Sequence, residues 1–217
     1  MCSVAEPDSK STIRSPTIVI SDGKAKDTVT LSNAGGLISF NGSIGKFSLS
    51  ISTTPASGLA MLPSFSLNSL TYNGSGKKAG TGTITISLSD TSVHPNDGSI
   101  ASQINGQTTG TVSYSTFADG SNSLFGKSTL LGSKGGLTGA FNINGSAIVA
   151  SQNAFSLTEM FVIQLGKGGS THFGATVLDP PIGGGEVVQV PEVGSTLALL
   201  ALALLGVEVL RRKLTAT

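Results

Sequence analysis

Along most of this 217-residue chain, apolar side chains recur at every second position and are separated by Ser, Thr or Asn. Phe47, Leu49 and Ile51 alternate with Ser48, Ser50 and Ser52; Ile84, Ile86 and Leu88 alternate with Thr83, Thr85, Ser87 and Ser89. A period of two gathers one set of side chains on one face of a pleated strand, whereas a helix needs a period of about 3.6. The pattern runs from Thr17 to Val177, and no stretch before Gly194 has a helical period. Besides the two segments above, it predicts strands at Thr17–Ser21, Thr28–Ser32, Leu37–Asn41, Ser64–Tyr72, Thr109–Tyr114, Thr138–Asn144, Ala154–Leu165 and Thr171–Val177.

Breakers separate these segments: Asn33-Ala34-Gly35-Gly36, Asn73-Gly74-Ser75-Gly76, Asp97-Gly98, Asp119-Gly120, Lys134-Gly135-Gly136 and Gly166-Lys167-Gly168-Gly169. Asn, Asp and Gly tolerate the positive φ of tight hairpins, so each is expected to be a turn. Asn41-Gly42-Ser43, Asn73-Gly74-Ser75 and Asn144-Gly145-Ser146 match the glycosylation acceptor pattern, but the same chemistry makes them turns. About ten short strands with turns between them predict an all-β fold, an antiparallel β-sandwich of Greek-key or jelly-roll-like topology. The expected organisation is an N-terminal leader (1–16), a sandwich ectodomain (17–177), a linker (178–190) carrying Asp179-Pro180-Pro181 and Gly183-Gly184-Gly185, and a tail (191–217).

Up to Val190 the chain has ten Lys and Arg against ten Asp and Glu. Nucleic acids and anionic membrane surfaces select a basic excess, so neither is an expected partner of the ectodomain. The single cysteine, Cys2, rules out an intrachain disulfide and a thiolate metal site.

Candidate chemistry is sparse. Gly120 to Ser128 superficially resembles a phosphate-binding loop, but five residues rather than four separate Gly120 from Gly126, and no helix pattern opens at Lys127. A hairpin tip explains the same residues. His94 and His172 lie far apart in the chain without cysteines to complete a zinc shell, and no Gly-x-Ser-x-Gly elbow marks a serine nucleophile. Asp90, Asp97 and Asp119 have the chemistry to hold calcium at one end of a sandwich, but no EF-hand spacing supports this and turn formation already explains them. With nine Phe, two Tyr and no Trp, an aromatic sugar platform has no support either. The expectation is a chain without catalytic residues, cofactor or metal.

The tail carries the most specific signal. Pro191-Glu192-Val193-Gly194-Ser195-Thr196 leads into the apolar run Leu197 to Val207, then Glu208-Val209-Leu210, then Arg211-Arg212-Lys213. Gly194 to Leu210 would span about 25 Å as a helix, short against a hydrocarbon core of about 30 Å. The run is nevertheless apolar on every face, unlike a surface helix, and Glu208 lies within a turn of Arg211 and Arg212. A transmembrane helix at 194–210 is expected, with Arg211, Arg212 and Lys213 retained in the cytoplasm and everything before Pro191 outside.

Pro-Glu motif, single hydrophobic segment and basic end resemble the PEP-CTERM sorting signal, the tripartite C-terminal tag of bacterial proteins handled by an exosortase. Pro191 and Glu192 match its first positions, Gly194 and Ser195 or Thr196 continue it, and Arg211 and Arg212 fall in its basic cluster. Val193 stands where that signal has a second proline. The resemblance implies a non-enzymatic substrate of an exosortase-like enzyme, held transiently in the inner membrane and then displayed at the cell surface or in an exopolysaccharide or biofilm matrix. Two rivals are a permanently tail-anchored module binding a glycan or protein, and a secreted hydrolase. Residues 1–16 contain no apolar core, so export of the ectodomain leads us to expect a signal peptide encoded upstream of Met1.

Overall fold

The computed structural model describes residues 15–57, 60–74, 80–94, 98–149 and 153–179. The chain divides into units 1–182 and 183–217, and every described residue belongs to the first. Its strands are β1 (Thr17–Ser21), β2 (Thr28–Ser32), β3 (Ser39–Ile44), β4 (Phe47–Thr54), β5 (Ser64–Tyr72), β6 (Gly82–Val93), β7 (Ser99–Asp119), β8 (Thr129–Ile148), β9 (Phe155–Leu165) and β10 (Ser170–Leu178). All pairings are antiparallel. The helical turn Ala25–Asp27 interrupts the β1–β2 hairpin. Among the described residues no helix is long and apolar enough to cross a membrane; the helix expected at 194–210 lies outside them.

The long strands β7 and β8 organise the fold. β8 follows β7 along one edge from Ser99 to Ala118, so β9 and β10 share the other edge. β9 pairs with Thr111–Asp119 and β10 with Ala101–Thr108. Between these halves the β7–β8 register shifts, as expected where a strand turns a corner from one layer to another. Gly110 sits at that corner, where a β-carbon would strike the carbonyl oxygen of Gln164. One layer is therefore β2-β1-β6-β9 with the C-terminal half of β7, and the other is β3-β4-β5-β10 with its N-terminal half.

Ring contacts show that the layers face each other. β5 and β9 are three steps apart in the sheet, about 14 Å if it were flat. Yet Phe65 on β5 stacks on Phe161 of β9 with centroids 4.9 Å apart, and Phe173 on β10 meets Phe161 at the same distance. The alternating residues supply the core: Ile18, Ile20, Leu49, Ile51, Leu67, Ile84, Ile86, Leu88 and Ile163 are all buried. Burial of such side chains stabilises by about 1.5–3 kcal/mol each, and this fixes which face of every strand turns inward.

The alternation located β1, β2 and β5 with their bounds, and β9 and β10 to within a residue. It truncated β7 and β8, which extend well beyond 109–114 and 138–144. Lys134-Gly135-Gly136 is not a turn but an irregularity inside β8, with Gly136 at φ +68°. Asn41-Gly42-Ser43 lies within β3, and Asn144-Gly145-Ser146 within β8. The two Asn-Gly-Ser segments have continuous partners on β4 and β7, and Lys134-Gly135-Gly136 is bridged by the Tyr114–Lys134 and Val112–Leu137 pairs on either side of the irregularity, so non-local pairing overrides local turn chemistry.

Candidate functional site

The described unit holds an acid inside its core. The parity of β9 places Leu157, Glu159, Phe161 and Ile163 on the inner face, with Glu159 opposite Leu88 of β6 and Thr116 of β7. Glu159 is 0% exposed. The Tyr114 hydroxyl donates to Glu159 Oε1 at 2.7 Å, and the Tyr114 ring stacks on Phe161 at 5.3 Å. Glu159 Oε2 and Thr116 Oγ1 make no hydrogen bond within the described residues. Burial raises the Glu159 carboxyl from 4.5 to about 7, against the lowering influence of the Tyr114 hydrogen bond. Burial, and secondarily the Glu159 charge, also hold the Tyr114 phenol well above its ordinary value. An acid–phenol pair of this kind has suitable proton chemistry, but closure on all sides gives a substrate no surface to occupy.

The loop reminiscent of a phosphate cradle joins β7 to β8, as a hairpin tip does. Asp119 anchors it, accepting from Ser121 Oγ at 2.5 Å, and hydrogen bonds from Ser121 and Ser128 hold its carboxyl below the usual range. The loop then lies over the outer face of the β6–β9 layer. Phe125 N donates to Ser89 Oγ (2.9 Å), Ser156 Oγ to Ser123 O (2.6 Å), and Thr158 Oγ1 to Gly126 O (3.3 Å). Ser92 N donates to Asn122 Oδ1 at 2.7 Å. The amides of Asn122 and Gly126 are engaged within the loop. The amides of Asn122, Phe125 and Gly126 are thus bonded to protein, and the Lys127 ammonium rests 5.6 Å from the Phe117 ring centroid.

His94 is exposed at the end of β6, its Nδ1 3.1 Å from Ser92 O; His172 is exposed on β10 opposite Gln107. Asp90 is buried opposite Leu157, with Thr91 N donating to its Oδ1, whereas Asp119 holds the β7–β8 loop; Asp97 lies outside the described residues. Among the described residues no three His, Cys, Asp or Glu side chains gather into a metal-binding group.

The outer face of the other layer is a broad polar surface. One row crosses six strands: Ser39, Ser52, Ser66, Gly174, Asn105 and Asn142 are successive register partners. Neighbouring strands are bridged by Asn68 Nδ2 to Ser52 Oγ (3.1 Å) and Asn73 Nδ2 to Ser48 Oγ (2.7 Å). Apart from Ile148 and Leu178 at the strand ends, the residues facing outward here are hydroxyls, amides and small side chains without formal charge; His172 is the titratable member. Strand alternation predicted the polar face strand by strand. Its assembly into one surface required the register.

The sorting residues Pro191, Glu192, Gly194 and Ser195, and the cluster Arg211, Arg212 and Lys213, lie outside the described residues. The span 189–214, within which they fall, matches the VPDSG-CTERM motif. This is an exosortase-type C-terminal sorting signal related to PEP-CTERM, and it is this variant that the match identifies. Val190, Pro191 and Gly194 coincide with the motif's letters, Glu192 replaces Asp and Val193 replaces Ser. This motif has no second proline, although Val193 departs from its serine at the same position.

No curated protein matches the chain. Among solved structures it is similar to the PA14 sugar-binding domain from an RTX adhesin, at 11% identity over 76% of this chain and 89% of that one, with a TM-score of 0.38. It is similar also to the K1 cleaved adhesin domain of Lys-gingipain from Porphyromonas gingivalis W83, at 13% identity over 68% of this chain and 100% of that one, TM-score 0.34. A third is TmCBM61 in complex with beta-1,4-galactotriose, at 8% identity over 64% of this chain and 92% of that one, TM-score 0.34. Likenesses this distant carry no argument about what this chain binds.

Proposed function

We propose that this chain is a non-enzymatic β-sandwich protein exported across the inner membrane, processed by an exosortase-like enzyme at the Pro191-Glu192 region, and displayed at the cell surface or in an exopolysaccharide matrix. The observation that carries this reading is the match of residues 189–214 to a C-terminal sorting motif. Supporting it, the last strand ends at Leu178, so breaker-rich residues separate the β-domain from the matched segment. In this scheme the chain is a substrate. Pro191 fixes φ and favours extended backbone in the residue before it, which suits entry into a processing site, and Glu192 supplies the recognised charge. The apolar run holds the chain in the membrane until cleavage, with Arg211, Arg212 and Lys213 on the cytoplasmic side.

The test is fractionation of cells producing an epitope-tagged full chain. Replacing both Pro191 and Glu192 by Ala should leave an uncleaved form in the inner membrane, while Val193→Ser should be processed like the parent. Processing and release of the double variant at the parental rate would overturn the reading and favour a permanent anchor. The uncharged face built on Ser52, Ser66, Asn105 and Asn142 favours a second role, contact with a neutral hydrated polysaccharide. Retention on neutral but not acidic polysaccharide gels would support that role, and loss of retention in Ser66→Glu/Asn105→Glu would localise it.

A further inference from the structure

Polar side chains converge inside the core with bonding capacity left over. Glu159 of β9 and Thr116 of β7 are register partners, so both project inward from neighbouring strands, with β-carbons about 4.5–5.5 Å apart. Both are closed off from solvent, yet among the described residues Glu159 Oε2 and Thr116 Oγ1 have no hydrogen-bond partner, not even each other. Tyr114, two residues before Thr116 on the same face, spends its proton on Glu159 Oε1. Burial raises the Tyr114 phenol most, and the nearby hydroxyls of Thr116 and Ser102 act in the opposite sense. The Thr116 hydroxyl thus stands beside the phenol without a hydrogen bond to it. Ser102 lies in the N-terminal half of β7, so the cluster reaches from one layer to the other.

The bonding pattern sets the chemistry of what fits there. Burial keeps a proton on Glu159 up to about pH 7. Because Oε1 accepts from Tyr114, that proton resides on Oε2, a donor without an acceptor. Thr116 Oγ1 and the Tyr114 oxygen both have lone pairs to offer beside it. A molecule that joins these atoms inside a closed core has to be small, neutral, and both donor and acceptor. Buried polar atoms left unbonded are costly, and proteins satisfy them with ordered water where about two to four polar partners converge. The flank towards β8 is bare: the partners of Thr116 and Ser102 on that strand are Gly132 and Gly145. Gly132 is half-exposed, and a β-carbon there would meet nothing within 4 Å.

We propose that Glu159, Thr116 and Tyr114 hold a single internal water molecule, which accepts from Glu159 Oε2 and donates to Thr116 Oγ1, with the Tyr114 oxygen as a further acceptor. The water completes a polar clasp between the two layers, and the position of Gly132 is its route of exchange with solvent. The site is independent of how the chain is sorted.

The test uses the full chain in non-ionic detergent, at a pH below about 7 so that Glu159 keeps its proton. Thr116→Val preserves the shape of the side chain and removes its hydroxyl. Were that hydroxyl unbonded, its removal would raise the melting temperature; bonded through water it supports Glu159, so its removal should lower the melting temperature by several degrees. A second reading does not depend on stability. Magnetisation transfer from water to the Thr116 methyl should reveal a long-lived bound water in the parent, and Thr116→Val should abolish that signal. Gly132→Val, which places a side chain over Thr116 where space is open, should lengthen the residence time of the water. A raised or unchanged melting temperature in Thr116→Val, or no bound water at the Thr116 methyl of the parent, would overturn the proposal. An unaltered residence time in Gly132→Val would overturn the assigned route.

Discussion

The hydroxyl of Tyr114 on β7 donates a 2.7 Å hydrogen bond to Glu159 Oε1 on β9, with both side chains closed off from solvent inside the sandwich. The folded chain therefore keeps the Glu159 proton up to about pH 7, whereas the unfolded chain loses it near 4.5. Between those values the folded state binds more protons, so stability falls as pH rises through this window and no longer changes through this group above it. At about 1.4 kcal/mol per pH unit the loss is of the order of 3 kcal/mol. Melting temperatures measured from pH 4.5 to 8 should decline accordingly, and Glu159→Gln should remove the decline.

Tyr114→Phe should destabilise by about 1–3 kcal/mol, because Glu159 Oε1 then joins Oε2 without a partner. It also removes the hydrogen bond that lowers the Glu159 value, so the upper end of the pH window should move higher. Denaturation curves of the variant at several pH values read both effects. An unshifted window would mean that Tyr114 does not tune the acid.

Phe161 touches Phe65 and Phe173 across the core and Tyr114 within its own layer. Phe161→Ala should cost about 3–5 kcal/mol in urea denaturation. Leu130, 57% exposed on β8, provides the contrast, since Leu130→Ala should change stability by less than about 0.5 kcal/mol. Comparable costs at the two sites would contradict the face-to-face packing.

Asp119→Ala should release the β7–β8 loop, since Ser121 and Ser128 bond its carboxylate and a side chain at Gly126 would collide with it. Trypsin should then cut after Lys127 faster than in the parent, with the strand content by circular dichroism unchanged. Equal cleavage rates would show that the Ser89, Ser156 and Thr158 contacts suffice to hold the loop.

The amino-acid order alone determined the all-β class, the inward set of side chains on β4 and β6, and the sorting character of the tail. These depend on periodicity and on residue types adjacent in the chain. Even the buried acid left a trace: Glu159 shares the parity of Leu157 and Phe161, which places it on the apolar face of β9. The tertiary structure alone decided the length of β7 and β8, the corner at Gly110, the covering loop at Gly120–Ser128 and the pairing of Glu159 with Tyr114. Each joins residues distant in sequence through backbone register. Locally, Lys134-Gly135-Gly136 carries the chemistry of a turn; a long partner strand made it part of β8 instead, because non-local hydrogen bonds and burial outweigh a weak conformational preference.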